Sequence, residues 1–314
     1  MMNVYTRCEG ALIGHAIASQ YDPSILMALN VSESLLKCKE FNGPDILSRH
    51  LYLYHTKKCE IGEITKYIYQ ELIKRNSSQS TLTLENFRFD QSMIDEIVKL
   101  ADEKFDGHTA ACSPAQRSYP LAFSDKKFDG HTAACSPAQR SYPLAFCQYI
   151  SDDDLFDFTM LEAKLTHYSP IAGQVAGIIN LICRSLINNV DWSDAVNSAF
   201  TTPRLHNDVQ NVLLRHHRWA DPGVETHVAY APTVLNAALH YVSVSKNAAQ
   251  AMANADGKNK HYYLPIVGIL AGARWGIPVE TYKDNINDAQ LITLRETCTK
   301  LSTTWKQKLD QPYN

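Results

Sequence analysis

Residues 251–278 read AMANADGKNKHYYLPIVGILAGARWGIP, and the second half of this stretch decides the fold. Gly268, Gly272 and Gly276 are spaced four apart, so at helical period they share one face of a helix. A helix face without side chains lets a second backbone approach closely. The spacing therefore predicts a buried helix over 261–275 that packs tightly against another helix.

A polar loop, DGKNKHYY at 256–263, immediately precedes this helix. The N-terminus of a helix favours a ligand, because unpaired N–H groups and the helix dipole point towards it. Beyond Asp256 the loop has no carboxylate and no Ser or Thr hydroxyl, but it carries Lys258 and Lys260. The role of this loop is the main functional question that the sequence raises.

The composition limits the class of protein. The chain has 314 residues, 45% of them hydrophobic, which is enough for a large core. Its net charge is −3 and it has no basic block, which excludes a dedicated nucleic-acid surface. Eight cysteines are scattered along the chain without a C-x-x-C pair, so we predict reduced thiols and a cytoplasmic protein.

The N-terminus, MMNVYTRCEGALIGHAIASQ, imitates a secretory signal through Arg7, an apolar stretch and a final A-x-A. Glu9 and His15 interrupt that stretch, which favours an amphipathic core helix instead. The longest apolar run, around 264–273, ends at Arg274 and is shorter than the about 18 residues of a membrane span. We therefore predict no membrane partner.

Helical periodicity dominates the remaining chain and predicts an all-α fold with one domain over 1–314. Strand-like alternation occurs only weakly, in TLTLENF at 81–87. In the last helix, apolar residues three and four apart form a seam: Leu291, Leu294, Cys298, Leu301 and Trp305. The predicted helices are 25–41, 45–56, 62–75, 91–105, 152–166, 170–189, 192–199, 206–218, 229–249, 261–275 and 286–307.

A perfect repeat needs its own explanation. Residues 104–123, KFDGHTAACSPAQRSYPLAF, recur identically at 127–146. Structural repeats usually diverge and occur in arrays of three or more, so a single identical pair indicates a recent tandem duplication or an error in the gene model. We predict that 104–126 is an insertion and that the downstream copy occupies the native position, because it leads directly into the helix after 151.

Five segments occur in an order that resembles one family. They are GALIGHAIA at 10–18, YDPSILMALNVSESLL at 21–36, RSYPLAF at 140–146, LTHYSPIAGQVAGIINLI at 165–182 and GKNKHYYLPIVGILAGARWGIP at 257–278. Together they resemble the ADP-ribosylglycohydrolases, most closely the branch that includes jellyfish J-crystallins and selenoprotein J. The resemblance covers most of the chain and implies an α-helical globule with a cleft for ADP-ribose.

The resemblance also implies two Mg²⁺ ions bound by two acidic loops, and here the sequence departs from the family. On the family's T-D-D-T segment, residues 21–24 are YDPS, so only Asp22 keeps a carboxylate. On G-D-T-D-T, residues 258–262 are KNKHY, and Ser19 stands where many relatives carry Asp. Mg²⁺ requires oxygen ligands that include carboxylates. We therefore predict that the binuclear centre does not form and that the chain has no metal ligand and no cofactor.

The same alignment gives the candidate site. The resemblance implies that Asp22 is a remnant of the metal-binding T-D-D-T segment, and it is the candidate catalytic residue. The ammonium groups of Lys258 and Lys260 could stand where the cations stood, either pairing with Asp22 or holding an anionic ligand. The alternative is that both lysines only solvate a surface loop. The predicted ligand-binding residues are Ser24, Arg140, Gly257, Lys258, Asn259, Lys260 and His261.

Two residues of the repeated segment have competing interpretations. Cys135 with His131, or equally Cys112 with His108, has the composition of a thiolate and its base, whereas a buried structural cysteine is the simpler interpretation. Arg140 suits a phosphate group through its guanidinium, and its alternative role is an internal ion pair.

The sequence therefore predicts a crystallin-like structural or ligand-binding protein that lacks metal-dependent hydrolysis. The alternative is an active hydrolase of ADP-ribose conjugates, in which Asp22 is the acid/base and Lys258 or His261 replaces the metals. A third hypothesis is a thiol-dependent enzyme that uses Cys135 or Cys112. The expected partner is ADP-ribose or a related anionic small molecule, with no nucleic acid and no membrane, and the oligomeric state is left open.

Overall fold

The computed structural model describes residues 2–57, 61–75, 84, 89–105, 135–215, 218–220, 229–257 and 260–306. Within these ranges the chain forms sixteen helices and no strand, which confirms the predicted all-α class. The helices are α1 Val4–Ala18, α2 Pro23–Cys38, α3 Gly43–Lys57, α4 Glu63–Arg75, α5 Gln91–Lys104, α6 Ser136–Arg140, α7 Pro143–Phe146, α8 Leu155–Lys164, α9 Pro170–Ile187, α10 Trp192–Ala199, α11 Asn207–Leu214, α12 Ala231–Val244, α13 Ala248–Asn254, α14 Lys260–Trp275, α15 Val279–Tyr282 and α16 Asp288–Lys306.

Most predicted helices match observed ones within a few residues, but the single helix predicted over 229–249 is wrong. The chain there forms α12 and α13, separated at Ser245, whose backbone is extended. Asn247 then caps α13, because its side chain accepts a hydrogen bond from the N–H of Gln250 at 2.8 Å. The short helices α6, α7 and α15 were not predicted, since segments of four or five residues carry no periodicity.

Two features of the sequence lie mainly outside the described residues. The weak strand-like alternation at 81–87 falls there except for Leu84, and the predicted insertion at 104–126 does so beyond Phe105. The second half of the downstream copy, residues 135–146, is described. It forms α6 and α7, which are buried against α2 and α9. The origin of the repeat stays a prediction.

The glycine face of α14 packs against a matching glycine face of α1, so the prediction of a tight helix pair is confirmed. Gly10 lies against Gly272, and Gly14 lies against Gly268. A Cβ atom built on Gly272 would lie 2.0 Å from the carbonyl oxygen of Gly10, and one on Gly14 would lie 2.2 Å from that of Gly268. The two backbones are therefore in direct contact.

A buried arginine holds the far end of this helix pair. The Nη1 of Arg7, on α1, donates to the carbonyl of Ala273 at 2.9 Å, and its Nη2 donates to the Oδ1 of Asn189 at 3.0 Å. The last carbonyls of a helix have no partner inside the helix and carry its negative dipole end. Arg7 thus caps α14 and connects it to the end of α9.

Helix α9 is the central core helix. By length and composition alone it could cross a membrane, and it is longer than the apolar run at 264–273 that the sequence analysis singled out. However, 83% of it is buried inside the protein, as is usual for core helices, so this is weak evidence for a membrane span. The seam of α16 is confirmed in its centre, where Leu294, Cys298 and Leu301 are fully buried.

Candidate functional site

A cavity of about 360 Å³ lies where the end of α1, the start of α2 and helices α13 and α14 meet. Asp22 lines it from one side, and Asp256, Lys260 and His261 line it from the other. The structure thus brings together the two loops that the sequence analysis paired, although they are more than 230 residues apart. The remaining walls are mostly apolar: Ile17, Ala18, Ala249, Met252, Ala253, Leu264 and Pro265.

The turn between α1 and α2 fixes the position of Asp22. Gln20 and Tyr21 both have left-handed backbone conformations, with φ of 55° and 57°. Such a conformation costs a residue other than glycine on the order of 1 kcal/mol. Hydrogen bonds to the end of α1 hold it, because the N–H of Tyr21 donates to the carbonyl of Ala16 at 2.8 Å. The sharp turn delivers Asp22 to the N-terminus of α2.

Asp22 is the N-cap of α2. Its Oδ1 accepts hydrogen bonds from the backbone N–H of Ser24 at 2.7 Å and from the Ser24 hydroxyl at 2.5 Å. Burial raises the pKa of the Asp22 carboxyl, and the Ser24 hydrogen bonds only partly oppose this effect. Asp22 and Ser24, both predicted site residues, therefore contact each other. The Asp22 carboxylate caps the N-terminus of α2.

A buried chain of hydrogen bonds continues from Ser24 into the core. The His15 Nε2 contacts the Ser24 hydroxyl at 2.8 Å, and its Nδ1 contacts the Tyr142 hydroxyl at 3.1 Å. Burial lowers the pKa of His15 to about 3, so the ring is neutral. Because the Ser24 hydroxyl donates to Asp22, it accepts from His15, which assigns the proton to Nε2 and leaves Nδ1 to accept from Tyr142.

This chain of hydrogen bonds was not predicted, because in the sequence His15 only interrupts an apolar stretch. The available signal was a histidine placed between small apolar residues of a core helix. Such a histidine must find hydrogen-bond partners from other elements, since a buried polar group without partners is costly. Which partners it finds depends on the packing of α1 against α2 and α7.

On the other side of the cavity, Lys260 forms a salt bridge with Asp256. The Lys260 Nζ lies 2.5 Å from the Asp256 Oδ1, four residues earlier in the chain. Its predicted pairing with Asp22 is therefore not the one in the structure. Both side chains are about half exposed, so the bridge contributes little to stability.

The other loop residues of the predicted site are placed only in part. Gly257 is exposed, and its carbonyl accepts from the N–H of Lys260 at 3.2 Å, where α14 begins. His261 lines the cavity and packs against the Tyr262 ring, with 3.9 Å between ring centroids. Lys258 and Asn259 lie outside the described residues.

A proline inside α14 shapes the cavity wall. Pro265 has no N–H, so it leaves the carbonyl of His261 without its usual helical donor. The side chain of Gln139 replaces that donor, because its Nε2 contacts the carbonyl of Tyr262 at 3.0 Å and that of His261 at 3.4 Å. Helix α6 thus supports the first turn of α14 directly.

Arg140 makes an internal ion pair, the alternative that the sequence left open. The guanidinium is fully buried, and its Nε donates to the Glu162 Oε1 at 2.7 Å. Its Nη2 also donates to the Thr166 hydroxyl at 2.8 Å. Burial alone would raise the pKa of Glu162, but the positive charge of Arg140 holds it below its ordinary value. Arg140 therefore joins α6 to α8 from within the core.

The thiol interpretation can be checked only for Cys135. This residue precedes α6 and is 1% exposed, and its Sγ accepts from the Gln139 Nε2 at 3.8 Å. His131, Cys112 and His108 lie outside the described residues. The burial agrees with a structural cysteine. All six described cysteines are thiols rather than disulfides.

The cavity residues do not fit two divalent cations. Asp22 already accepts two hydrogen bonds from Ser24 on one oxygen, and Asp256 is neutralised by Lys260. Mg²⁺ needs near-octahedral oxygen ligation with carboxylates, and an ammonium at the same place repels it. In the part of the chain that the structure describes, no group of three or more His, Cys, Asp or Glu side chains is arranged to hold a metal ion.

Comparison with known proteins agrees with the family resemblance of the five sequence segments. The ADP-ribosylglycohydrolase family model matches residues 3–307. A solved structure described as an "ADP-ribosylglycohydrolase-related protein complex" superposes with a TM-score of 0.67 at 17% sequence identity, over 97% of this chain and 99% of that chain. At this identity the structural similarity concerns the fold alone. No curated protein matches this chain.

Proposed function

This chain belongs to the ADP-ribosylglycohydrolase family, and on this premise we propose that it has lost metal-dependent hydrolysis and acts as a crystallin-like structural or ligand-binding protein. The resemblance of its segments to the J-crystallin and selenoprotein J branch supports this proposal. Its thiols and its lack of a basic block favour a cytoplasmic protein that binds ADP-ribose or a related anionic small molecule rather than nucleic acid.

The observation that carries this proposal is the state of the cavity's two carboxylates. Asp22 caps α2 through Ser24, and Asp256 pairs with the ammonium of Lys260. Among the described residues, neither carboxylate belongs to a group of side chains arranged to bind a metal ion. Two divalent cations carry four positive charges, which the side chains around them must balance. In this cavity Asp22, Asp256 and Lys260 together supply a net charge of only about −1.

We expect no binding of Mg²⁺ or Mn²⁺ at micromolar concentration in a calorimetric titration of the purified protein, because Asp22 and Asp256 are already engaged by Ser24 and Lys260. As a control, the variant Lys260→Asp replaces the ammonium by a carboxylate beside Asp256, and it should bind the cations more tightly than the wild type. Micromolar binding by the wild type would contradict the proposal and would favour an enzyme.

ADP-ribose is expected to raise the thermal midpoint of the wild type equally with and without Mg²⁺. A ligand at 100 times its Kd stabilises the folded state by about 2.7 kcal/mol, which corresponds to a shift of roughly 5 °C for a chain of this size. The matched variant Lys258→Ala with Lys260→Ala should reduce the shift if the lysines hold the pyrophosphate. A shift that appears only with Mg²⁺ would contradict binding in a metal-free cavity. The absence of a shift in both conditions would exclude ADP-ribose binding and favour the structural role.

One observation favours the alternative, an active hydrolase with altered chemistry. Burial raises the pKa of Asp22, which is the direction that a general acid needs. Under this alternative the wild type would release ADP-ribose from glycosidic conjugates without added metal, and Asp22→Asn would abolish the release. Absence of release in the wild type would exclude it.

A further inference from the structure

A second, wider groove lies away from the Asp22 cavity. It has a volume of about 1130 Å³ and runs between α8, α9 and residues 198–204, which are the end of α10 and the turn after it and are called the 198–204 turn below. Helices α8 and α9 are antiparallel, since Arg184 near the end of α9 pairs with Asp152 before α8, and Gly177 faces the Phe156 ring. One wall of the groove is therefore the exposed side of α8.

That side of α8 has an ordered pattern of charge. Asp157, Leu161 and Lys164 are spaced four and three apart, so they lie on one stripe, and all three are exposed. Leu161 is 42% exposed, and Tyr168, just beyond the helix, is 44% exposed. Within the described residues, neither Asp157 nor Lys164 forms an ion pair. An acidic residue, an apolar residue and a basic residue thus follow one another along about 10 Å of surface.

The opposite wall adds a second basic group at the Lys164 end. Arg204 has a left-handed backbone, with φ of 59°, and lines the groove. The turn is held by Gln174 of α9, whose Oε1 accepts from the N–H of His206 at 2.7 Å and whose Nε2 donates to the carbonyl of Arg204 at 3.4 Å. Asp153, also exposed and also on the groove, adds a second acidic group at the other end.

The helix dipole alone accounts for an acidic first turn and a basic last turn, but it accounts neither for the exposed Leu161 nor for the groove. The same charge order makes the stripe complementary to itself. If two copies approach about a two-fold axis near Leu161, their α8 helices run antiparallel, and Asp157 of each copy meets Lys164 of the other. A surface that is complementary to itself in this way is what a two-fold dimer requires.

We propose that this groove, bounded by α8 and the 198–204 turn, binds the α8 helix of a second copy of this chain. The α8 ridge of each copy lies in the groove of the other, with Met160 and Leu161 at the centre. Arg204 and Lys164 then face the partner's Asp153 and Asp157. The apolar centre supplies the attraction, and the charges fix the antiparallel orientation.

Sedimentation equilibrium over a concentration series tests the proposal. We expect the wild type to be a dimer at high concentration, and Leu161→Glu to weaken the dimer at least about tenfold, because the substitution acts twice at a two-fold interface. The control Ile292→Glu introduces the same charge at an exposed aliphatic residue of α16 and should not change the dissociation constant.

Charge reversal gives a sharper test. Asp157→Lys alone and Lys164→Asp alone each place like charges together in both halves of the interface, so each should be a monomer where the wild type is a dimer. A mixture of the two variants should form a heterodimer, and the double variant should recover the homodimer. Circular dichroism confirms that each variant is folded. A wild type that stays monomeric, or single variants that dimerise like the wild type, would overturn the proposal.

Discussion

Gly272→Ala is expected to destabilise the protein by about 3 kcal/mol or more, one of the largest effects available from a single methyl group. The added Cβ would lie 2.0 Å from the carbonyl oxygen and 2.4 Å from the carbonyl carbon of Gly10. These are backbone atoms, so no side-chain rotation relieves the contact, and α1 and α14 must separate along their whole length. At roughly 2 °C per kcal/mol, the thermal midpoint should fall by about 6 °C.

Two further variants distinguish this mechanism from a general loss of flexibility. Gly43→Ala is the matched control, because the three nearest atoms to its Cβ would all be side-chain atoms, of Gln91 at 3.2 Å, Leu165 at 3.3 Å and Phe41 at 3.6 Å. Its effect should stay within about 1 kcal/mol. The double variant Gly10→Ala with Gly272→Ala should cost less than the sum of the two single variants, because the first methyl group already separates the helices. Equal costs for Gly43→Ala and Gly272→Ala would refute the explanation.

The second large effect is expected for Arg184→Met, with a loss of about 4 kcal/mol in a denaturant titration. The Arg184 side chain is buried and binds backbone carbonyls of α7 and of the turn that follows it. Its Nε donates to the carbonyl of Ala145 at 2.7 Å, and its Nη2 lies 3.1–3.2 Å from three more carbonyls, those of Leu144, Cys147 and Ile150. Methionine has a similar length but no donor, so within the described residues the carbonyls of Ala145 and Ile150 lose their partner, whereas those of Leu144 and Cys147 keep the backbone N–H groups of Cys147 and Ile150. Each unpaired buried carbonyl costs about 1–3 kcal/mol unless water reaches it.

Conservative variants separate the contribution of the several guanidinium donors of Arg184 from that of its positive charge. Arg184→Lys keeps the charge but offers three donors from one nitrogen atom, so it should recover only part of the loss. Asp152→Asn removes the ion-pair partner, whose side chain is 69% exposed, and should cost less than about 1 kcal/mol. Full recovery with lysine, or a large loss with Asp152→Asn, would show that the salt bridge rather than the carbonyl contacts provides the stability.

The candidate site could be predicted in its location but not in its contacts. The resemblance aligned residues 21–24 and 257–262 with two loops of one cleft, and the structure places Asp22, Lys260 and His261 on one cavity. The resemblance could not show that Lys260 pairs with Asp256. A partner four residues earlier in the chain is ordered at a lower entropic cost than a partner on the other side of the cavity. Arg140 shows the same limit, since its choice between a ligand and Glu162 depends on whether α8 passes beside it.

The sequence by itself determined the helical class, the approximate positions of the long helices, and the tight packing of the helix at 261–275. These follow from local rules: a periodicity of 3.6 residues marks a buried face, and glycines four apart leave room for a backbone. The loss of carboxylates from the two loops was equally visible, since it is a matter of composition.

Only the tertiary structure decided which backbone fills the glycine face, namely α1 through Gly10 and Gly14, and how the polar groups of the core are satisfied. It also decided that the hydrogen bonds of His15 run to Ser24 and Tyr142. The physical reason is that a buried polar or backbone group needs some partner, but the identity of that partner depends on how distant helices pack, which local patterns do not encode.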